Sequence, residues 1–188
     1  LYGTRAYEPG NDVYSLKDAT NNMTIVDDSG IDTLDALTVS VSVSIDLRPG
    51  KSSSIGMDTD GTRKFNNVVI ASGSLIENVT GSPYDDVIIG NAQNNLITFT
   101  GGNDIVDGQA GIDMIRLWNK SAEFKVSKDM STGYWNVEAA NNTSGSMELQ
   151  NAERLIFTDT SWALDTGDAE SAGRTAKILG AVFGKEGL

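Results

Sequence analysis

From residue 72 to residue 116 the chain repeats itself every nine residues: SGSLIENVT, GSPYDDVII, GNAQNNLIT, FTGGNDIVD, GQAGIDMIR. Position six of these units holds Glu77, Asp86, Asn95, Asp104 and Asp113, and position eight holds Val79, Ile88, Ile97, Val106 and Ile115. One β-branched apolar residue per nine, spaced by Gly, Asn, Asp and Ser, does not follow a helix face, whose period is about 3.6. The pattern reads as six residues of turn and three of strand, with the apolar side chain of each strand entering a narrow core.

Two units, 18 residues, then make one full revolution of a coil. Odd strands stack in one sheet and even strands in another, at roughly 4.8 Å per step. Asp86 comes over Asp104 on one flank, while Glu77, Asn95 and Asp113 form a column on the other. Stacked carboxylates repel. A Ca²⁺ ion between successive turns removes the repulsion, and this hard cation, which takes about six to eight oxygens, also draws on turn carbonyls such as those of Gly102 and Gly111. The pattern approximates GGxGxDxUx, the repeat of calcium-binding parallel β-helices in RTX proteins. Tyr84 and Gln93 stand where that pattern has its position-four glycine, Asn95 stands for a carboxylate and Phe99 for the first glycine. A coil held together without metal is the alternative.

The charge balance favours a cationic partner. Asp and Glu number 26 against 14 Lys and Arg, a net charge of -12 that repels nucleic-acid phosphates and anionic membrane surfaces. Histidine and cysteine are both absent, which removes HExxH zinc sites, imidazole bases, thiolate ligands and disulfides. No run of 18 apolar residues occurs, and the amino end LYGTRAYEPG lacks the regions of a signal peptide, as though the chain were cut from something longer.

Outside the repeats the texture is also β. MTIVDD, DTLDAL and VVIASGSLIENV read as strands, and TVSVSVSIDL alternates over residues 39–47 as one half-buried strand. A long loop, residues 48–67, contains DTDG, which reads as a solvated turn because no EF-hand glutamate follows. After the repeats, AEFKVSKD, GYWNVEAA, SMELQNAERLIFTD and SWALD predict an antiparallel sheet or sandwich edge. Trp118, Tyr134, Trp135 and Trp162 read as core aromatics, with a sugar-stacking surface as the alternative. Ile178, Leu179, Val182 and Phe183 predict one short helix in the tail. The expectation is an all-β fold: one domain over 1–188, with leading strands in 1–71, a parallel β-roll in 72–116, antiparallel sandwich-like strands in 117–167 and a helical tail in 168–188.

The order of TIVDDSGIDTLDAL (24–37), IDLRPGKSSSIG (45–56) and NVVIASGSLIENVTG (67–81), preceded by LYG and PGNDVYSL, resembles the C-terminal region of serralysin-type secreted zinc metalloproteases over about residues 1–116. The resemblance implies a further Ca²⁺ site joining EPGND to DDSGID. Glu8, Gly10 and Asp12 sit where that family offers mainly backbone carbonyls, and Asp27, Ser29, Gly30 and Asp32 sit on its ligand loop. Glu77 matches the family's glutamate ligand, and Ser82, Tyr84 and Asp86 fall on the next turn; Ser29 and Tyr84 depart from the family pattern. The zinc motif HExxHxxGxxH is missing, so this chain is not the protease active domain. The function implied is a non-catalytic domain that binds several Ca²⁺ ions, and no zinc, in a secreted, extracellular protein. Its other partners would be a catalytic protease domain in the parent chain and a one-step (type I) secretion apparatus, with no nucleic acid and no membrane insertion. The rival is an adhesin or polysaccharide-binding RTX module; an enzyme built on paired carboxylates ranks third.

Overall fold

A computed structural model of the chain describes residues 10–17, 22–58, 60–141 and 145–165. Sixteen strands follow one another in these residues. Before the repeats come β1 (Val13–Ser15), β2 (Met23–Ile25), β3 (Thr33–Asp35), β4 (Ser44–Asp46), β5 (Ser52–Ser53) and β6 (Val68–Ile70). The repeats contribute β7 (Asn78–Thr80), β8 (Val87–Ile89), β9 (Leu96–Thr98), β10 (Asn103–Asp107) and β11 (Met114–Arg116). Then follow β12 (Phe124–Lys128), β13 (Trp135–Ala139), β14 (Ser146–Gln150), β15 (Arg154–Ile156) and β16 (Ser161–Ala163).

The fold is all-β with mixed sheets, and among the described residues no sheet closes into a barrel. One sheet runs β1-β3-β7-β9-β11-β15-β16, a second β12-β13-β14-β10-β8-β4, and a small third β2-β6-β5. Successive repeat strands alternate between the first two sheets. Parallel pairing of β7 with β9 and of β9 with β11 sets Val79, Ile97 and Ile115 side by side, an offset of 18 residues per step. The same register carries outward to Leu34 on β3 and Leu155 on β15. In the second sheet Ile45, Ile88, Val106 and Leu149 align across β4, β8, β10 and β14. All nine side chains are at most 1% exposed and belong to one buried cluster. Three-residue strands suffice because only the middle residue has a core to enter; the flanking residues turn outward or begin the next bend.

Two expectations are revised. Residues 39–47 do not form one strand: only Ser44–Asp46 is extended, because its parallel partner β8 is itself three residues long. The alternation is nevertheless kept in burial, with Val39, Val43, Ile45 and Leu47 all inside. The segments after the repeats do not form a separate antiparallel unit. β14 pairs in parallel with β10 and β15 with β11, extending both repeat sheets, and within these later segments the antiparallel pairs are β12-β13-β14 and β15-β16 at the rims. The reason lies in SMELQNAERLIFTD, which bends at Asn151, a residue with φ of +50°, and so delivers its two halves to different sheets. The helix expected within residues 168–183 lies outside the described residues; the one helical element among those described is a single 3-10 turn, Ser121–Glu123.

Candidate metal centre

The residue preceding each of the six parallel strands of the first sheet stands at the place of position six, so the pairing stacks Asp12, Asp32, Glu77, Asn95, Asp113 and Glu153 in one column. Side chains stitch it together. A carboxylate of one rung accepts the backbone N–H of the rung before: Asp12 N–H to Asp32 Oδ1 at 2.7 Å, Asp32 N–H to Glu77 Oε2 at 2.9 Å, Asn95 N–H to Asp113 Oδ1 at 2.7 Å, and Asp113 N–H to Glu153 Oε2 at 2.7 Å. The second column is shorter. Val43 N–H donates to Asp86 Oδ1 at 2.8 Å and Asp86 N–H to Asp104 Oδ1 at 3.0 Å, and the register then brings Met147 beside Asp104. Two carboxylates are thus enclosed between Val43 and Met147, both buried.

At one end of the long column a third carboxylate joins from outside it. Carboxylate oxygens of Asp12, Asp27 and Asp32 all lie within 4.8 Å of one another. Asp27 is held in place by its own N–H bonding to Ser74 Oγ at 2.9 Å, by Ser29 N–H at 3.0 Å on Oδ1, and by the Tyr14 hydroxyl on Oδ2. Burial, with that hydrogen bond to Asp27 adding to it, holds the Tyr14 phenol above its ordinary range, so it stays a donor. Asp27 and Asp32 are 3% and 1% exposed, yet Asp12 Oδ2 and Asp32 Oδ2 are buried with no hydrogen-bond partner. Orphaned carboxylate oxygens are costly, because each loses its hydration with nothing in return. Gly30, with φ of +138°, keeps the spot open: a Cβ there would sit 1.8 Å from the Gly10 carbonyl oxygen and 2.8 Å from Asp32 Oδ1. An oxygen-only donor set of three acids beside the Gly10 carbonyl suits a hard divalent cation, so the residues fit Ca²⁺.

The sequence-predicted residues distribute as follows. Gly10, Asp12, Asp27, Ser29, Gly30 and Asp32 come together, with Gly10 N–H bonding the Ser29 carbonyl at 3.2 Å; Glu77 stands one rung above Asp32, and Glu8 lies outside the described residues. Ser82 serves Asp86 directly, through its N–H at 2.6 Å and its hydroxyl at 2.7 Å. Tyr84 points its side chain into solvent, 47% exposed, and Gly102 of the next coil rests against its backbone. Gly111 stacks likewise on the Gln93 carbonyl. Asn95 is committed differently from the acids. Its Oδ1 accepts Asn91 N–H at 2.8 Å and its amide donates to the Glu77 carbonyl at 2.9 Å and to Asn91 Oδ1 at 3.1 Å, so this rung carries no charge and satisfies itself.

Sequence reasoning assigned no role to Tyr14, Ser74, Asn91 or Glu153. For Glu153 a signal existed, since it stands two residues before Leu155, the same spacing as position six to position eight. The aromatic residues weighed as a sugar platform have separate contacts: Trp135 lies under the Lys128 ammonium, Trp162 packs edge-on against Phe157, and Trp118 is 63% exposed beneath the Arg116 guanidinium.

Burial raises the carboxyls of Asp32, Asp86, Asp104 and Asp113 above the ordinary 3.8, Asp104 to about 8 and Asp113 to about 7. A group whose pKa is higher in the folded than in the unfolded state stabilises the fold fully below the unfolded value and loses that contribution as pH rises through the folded one. The metal-free protein is therefore expected to lose stability between about pH 4 and pH 8, the reverse of a fold resting on ion-paired carboxylates. Thermal melts in EGTA at pH 5.0 and 8.5 check this; a higher midpoint at pH 8.5 would overturn it.

A family model described as Peptidase M10 serralysin C terminal matches residues 1–183 of the chain. No curated protein matches it.

Proposed function

The chain belongs to the family of peptidase M10 serralysin C-terminal domains, and from that membership we propose that it is a non-catalytic, calcium-binding RTX-type domain of a secreted metalloprotease, a β-roll that completes its folding on extracellular Ca²⁺. The observation that carries this reading is the pair of orphaned oxygens, Asp12 Oδ2 and Asp32 Oδ2, in two acids that cluster with Asp27, with carboxylate oxygens of all three within 4.8 Å of one another.

Asp12, Asp27 and Asp32, with the Gly10 carbonyl and Glu77 adjoining, would hold one ion, and Asp86 with Asp104 a second. Bound Ca²⁺ supplies positive charge that lets these buried acids remain ionised. The chain's own residues do the rest. Asp27 enters from the loop after β2, Asp12 from the segment before β1 and Asp32 from the turn before β3, so neutralising the cluster secures the first rungs of the sheet. At the low Ca²⁺ of a cytosol the same acids repel and leave the chain poorly folded, a state suited to threading through a one-step export channel. We further propose that residues 1–188 form a single domain and that a catalytic protease domain belongs to the parent chain.

Calorimetric titration of the metal-free protein with Ca²⁺ tests the assignment. Several ions are expected to bind, and Asp32→Asn, which keeps the acceptor for Asp12 N–H but removes a charge, is expected to lose one of them or weaken it at least tenfold. Absence of any Ca²⁺ binding by the wild-type chain would sink the reading.

A further inference from the structure

Where the turns before β8 and β10 meet the segment after β11 lies a cleft of about 370 Å³, with Trp118 in its wall. We propose that this cleft binds one sugar ring of a neutral glycan, with the exposed Trp118 indole as its stacking surface. The inference goes beyond the calcium-binding reading above and uses none of the acids that carry it.

The walls are fixed by the protein's own bonds. On one side the Thr100 hydroxyl lies 3.0 Å from the Gly81 carbonyl oxygen and 2.6 Å from that of Ser82, tying the two turns together. Gly102, with φ of +91°, packs so closely on the earlier turn that a Cβ on it would lie 2.4 Å from the Tyr84 carbonyl carbon. On the other side Thr158 N–H donates to the Asn119 carbonyl at 3.1 Å, Asn119 Nδ2 to Glu123 Oε2 at 3.0 Å and Ser121 N–H to Asp159 Oδ1 at 2.8 Å. The Arg116 guanidinium sits over the indole, 5.7 Å from the ring centre, yet Trp118 is 63% exposed. An indole held in place and left facing water offers a ready stacking surface, and a preformed cleft spends little binding energy on ordering itself.

The lining selects its ligand by charge and polarity. Pro83, Phe99 and Trp118 give the cleft an apolar side, Thr100 and Asn119 a polar one, and Gly101 and Gly102 bring bare backbone between them; no ionisable side chain is among these residues. A metal ion would find no carboxylate here. An anion would meet no cationic side chain in the lining and a protein of net charge -12 around it. A purely apolar molecule would strip water from the Thr100 hydroxyl and the Asn119 amide without replacing the lost hydrogen bonds. What remains is an uncharged molecule with one apolar face and a polar rim. A neutral pyranose has this form: the C–H bonds of one face lie on the indole, and the ring hydroxyls exchange hydrogen bonds with Asn119 and the glycine backbone. The cleft is at the small end of the range of about 300–1,000 Å³ usual for ligand sites, which suits a single sugar ring.

The test is a titration of the full chain with lactose, cellobiose, maltose and mannobiose, and with oligogalacturonate as an anionic counterpart, followed by ligand-detected NMR. The two turns run directly into Asp86 and Asp104, so the measurements are made in saturating Ca²⁺. At least one neutral disaccharide is expected to bind. Trp118→Ala, a change at an exposed position, is expected to keep the wild-type thermal midpoint and to weaken that binding by about tenfold or more, while Trp162→Phe leaves it unchanged. In the wild-type chain the bound sugar is expected to protect Trp118 from oxidation by N-bromosuccinimide, a readout that needs no variant. Failure to bind any of the neutral disaccharides, a preference for oligogalacturonate, undiminished binding by folded Trp118→Ala, or no protection of Trp118 would overturn the proposal. A chain that binds Ca²⁺ but no sugar ends this inference alone and leaves the calcium reading intact.

Discussion

Addition of EGTA to the calcium-loaded protein is expected to lower its thermal midpoint by roughly 10–20 °C, and at 37 °C to convert much of its β-sheet circular dichroism to that of a disordered chain. The magnitude follows from linkage. A site with Kd of about 0.1 mM in about 1 mM Ca²⁺ adds about 1.4 kcal/mol, so three or four sites add about 5 kcal/mol, comparable to the whole stability of many domains; for a chain of this size about 1 kcal/mol moves the midpoint by about 2–4 °C. The structural cause is the burial of the carboxylates in the columns. Asp27, Asp32, Asp86, Asp104 and Asp113 are all at most 4% exposed. Ion pairs among the described residues include Arg48–Asp46, Lys125–Glu138 and Arg154–Asp165, whose acids are not among those five. Melts that coincide with and without chelator would show that the acids are tolerated by some other means.

Truncation of the core row is expected to be comparably damaging but indifferent to metal. Ile97 is 1% exposed and lies between Val79 and Ile115, themselves 0% exposed, in the middle of the parallel stack. Ile97→Ala removes buried methylene and methyl groups from the middle of this buried row, so a loss of about 3–4 kcal/mol is expected, within the usual range of about 2–5 kcal/mol for such changes. In saturating Ca²⁺ the variant should show a midpoint lower by about 6–15 °C, and in urea a correspondingly lower transition concentration with an unchanged slope. Further Ca²⁺ should not restore it, because the ions neutralise carboxylates and fill no cavity. A cost below about 1 kcal/mol would mean that the sheets close around the gap and that the narrow core is softer than its packing suggests.

Much of this was legible before any coordinates. The β-branched residue at position eight marked each core rung from Val79 to Ile115, because a side chain that must enter a shared interior once per strand leaves a periodic trace. The pairing of Asp86 with Asp104 followed from the same arithmetic of two units per revolution, and the structure sets them one rung apart. The loop acids Asp12, Asp27 and Asp32 were reached through a family likeness, since no local period links residues 15 and 20 positions apart. The alternation in TVSVSVSIDL was read correctly as burial and wrongly as a continuous strand: side-chain periodicity reports which face is buried, whereas strand length depends on how much partner backbone is within reach.

What the sequence determined by itself was the coil and its chemistry. A nine-residue phase, an excess of carboxylates and the lack of histidine and cysteine leave a turn-rich β stack whose natural ligand is a hard cation. Tertiary structure alone decided where the columns begin and end: that β1 and β3 extend the stack ahead of the repeats, that Val43 and Met147 enclose the short column, that Asn95 satisfies its own rung, and that Glu153, 40 residues after Asp113, becomes its neighbour. The division has a physical reason. Local spacing dictates how each turn bends, but which rung meets which is settled by hydrogen bonds between coils, and those form only when chain segments distant in sequence pack side by side.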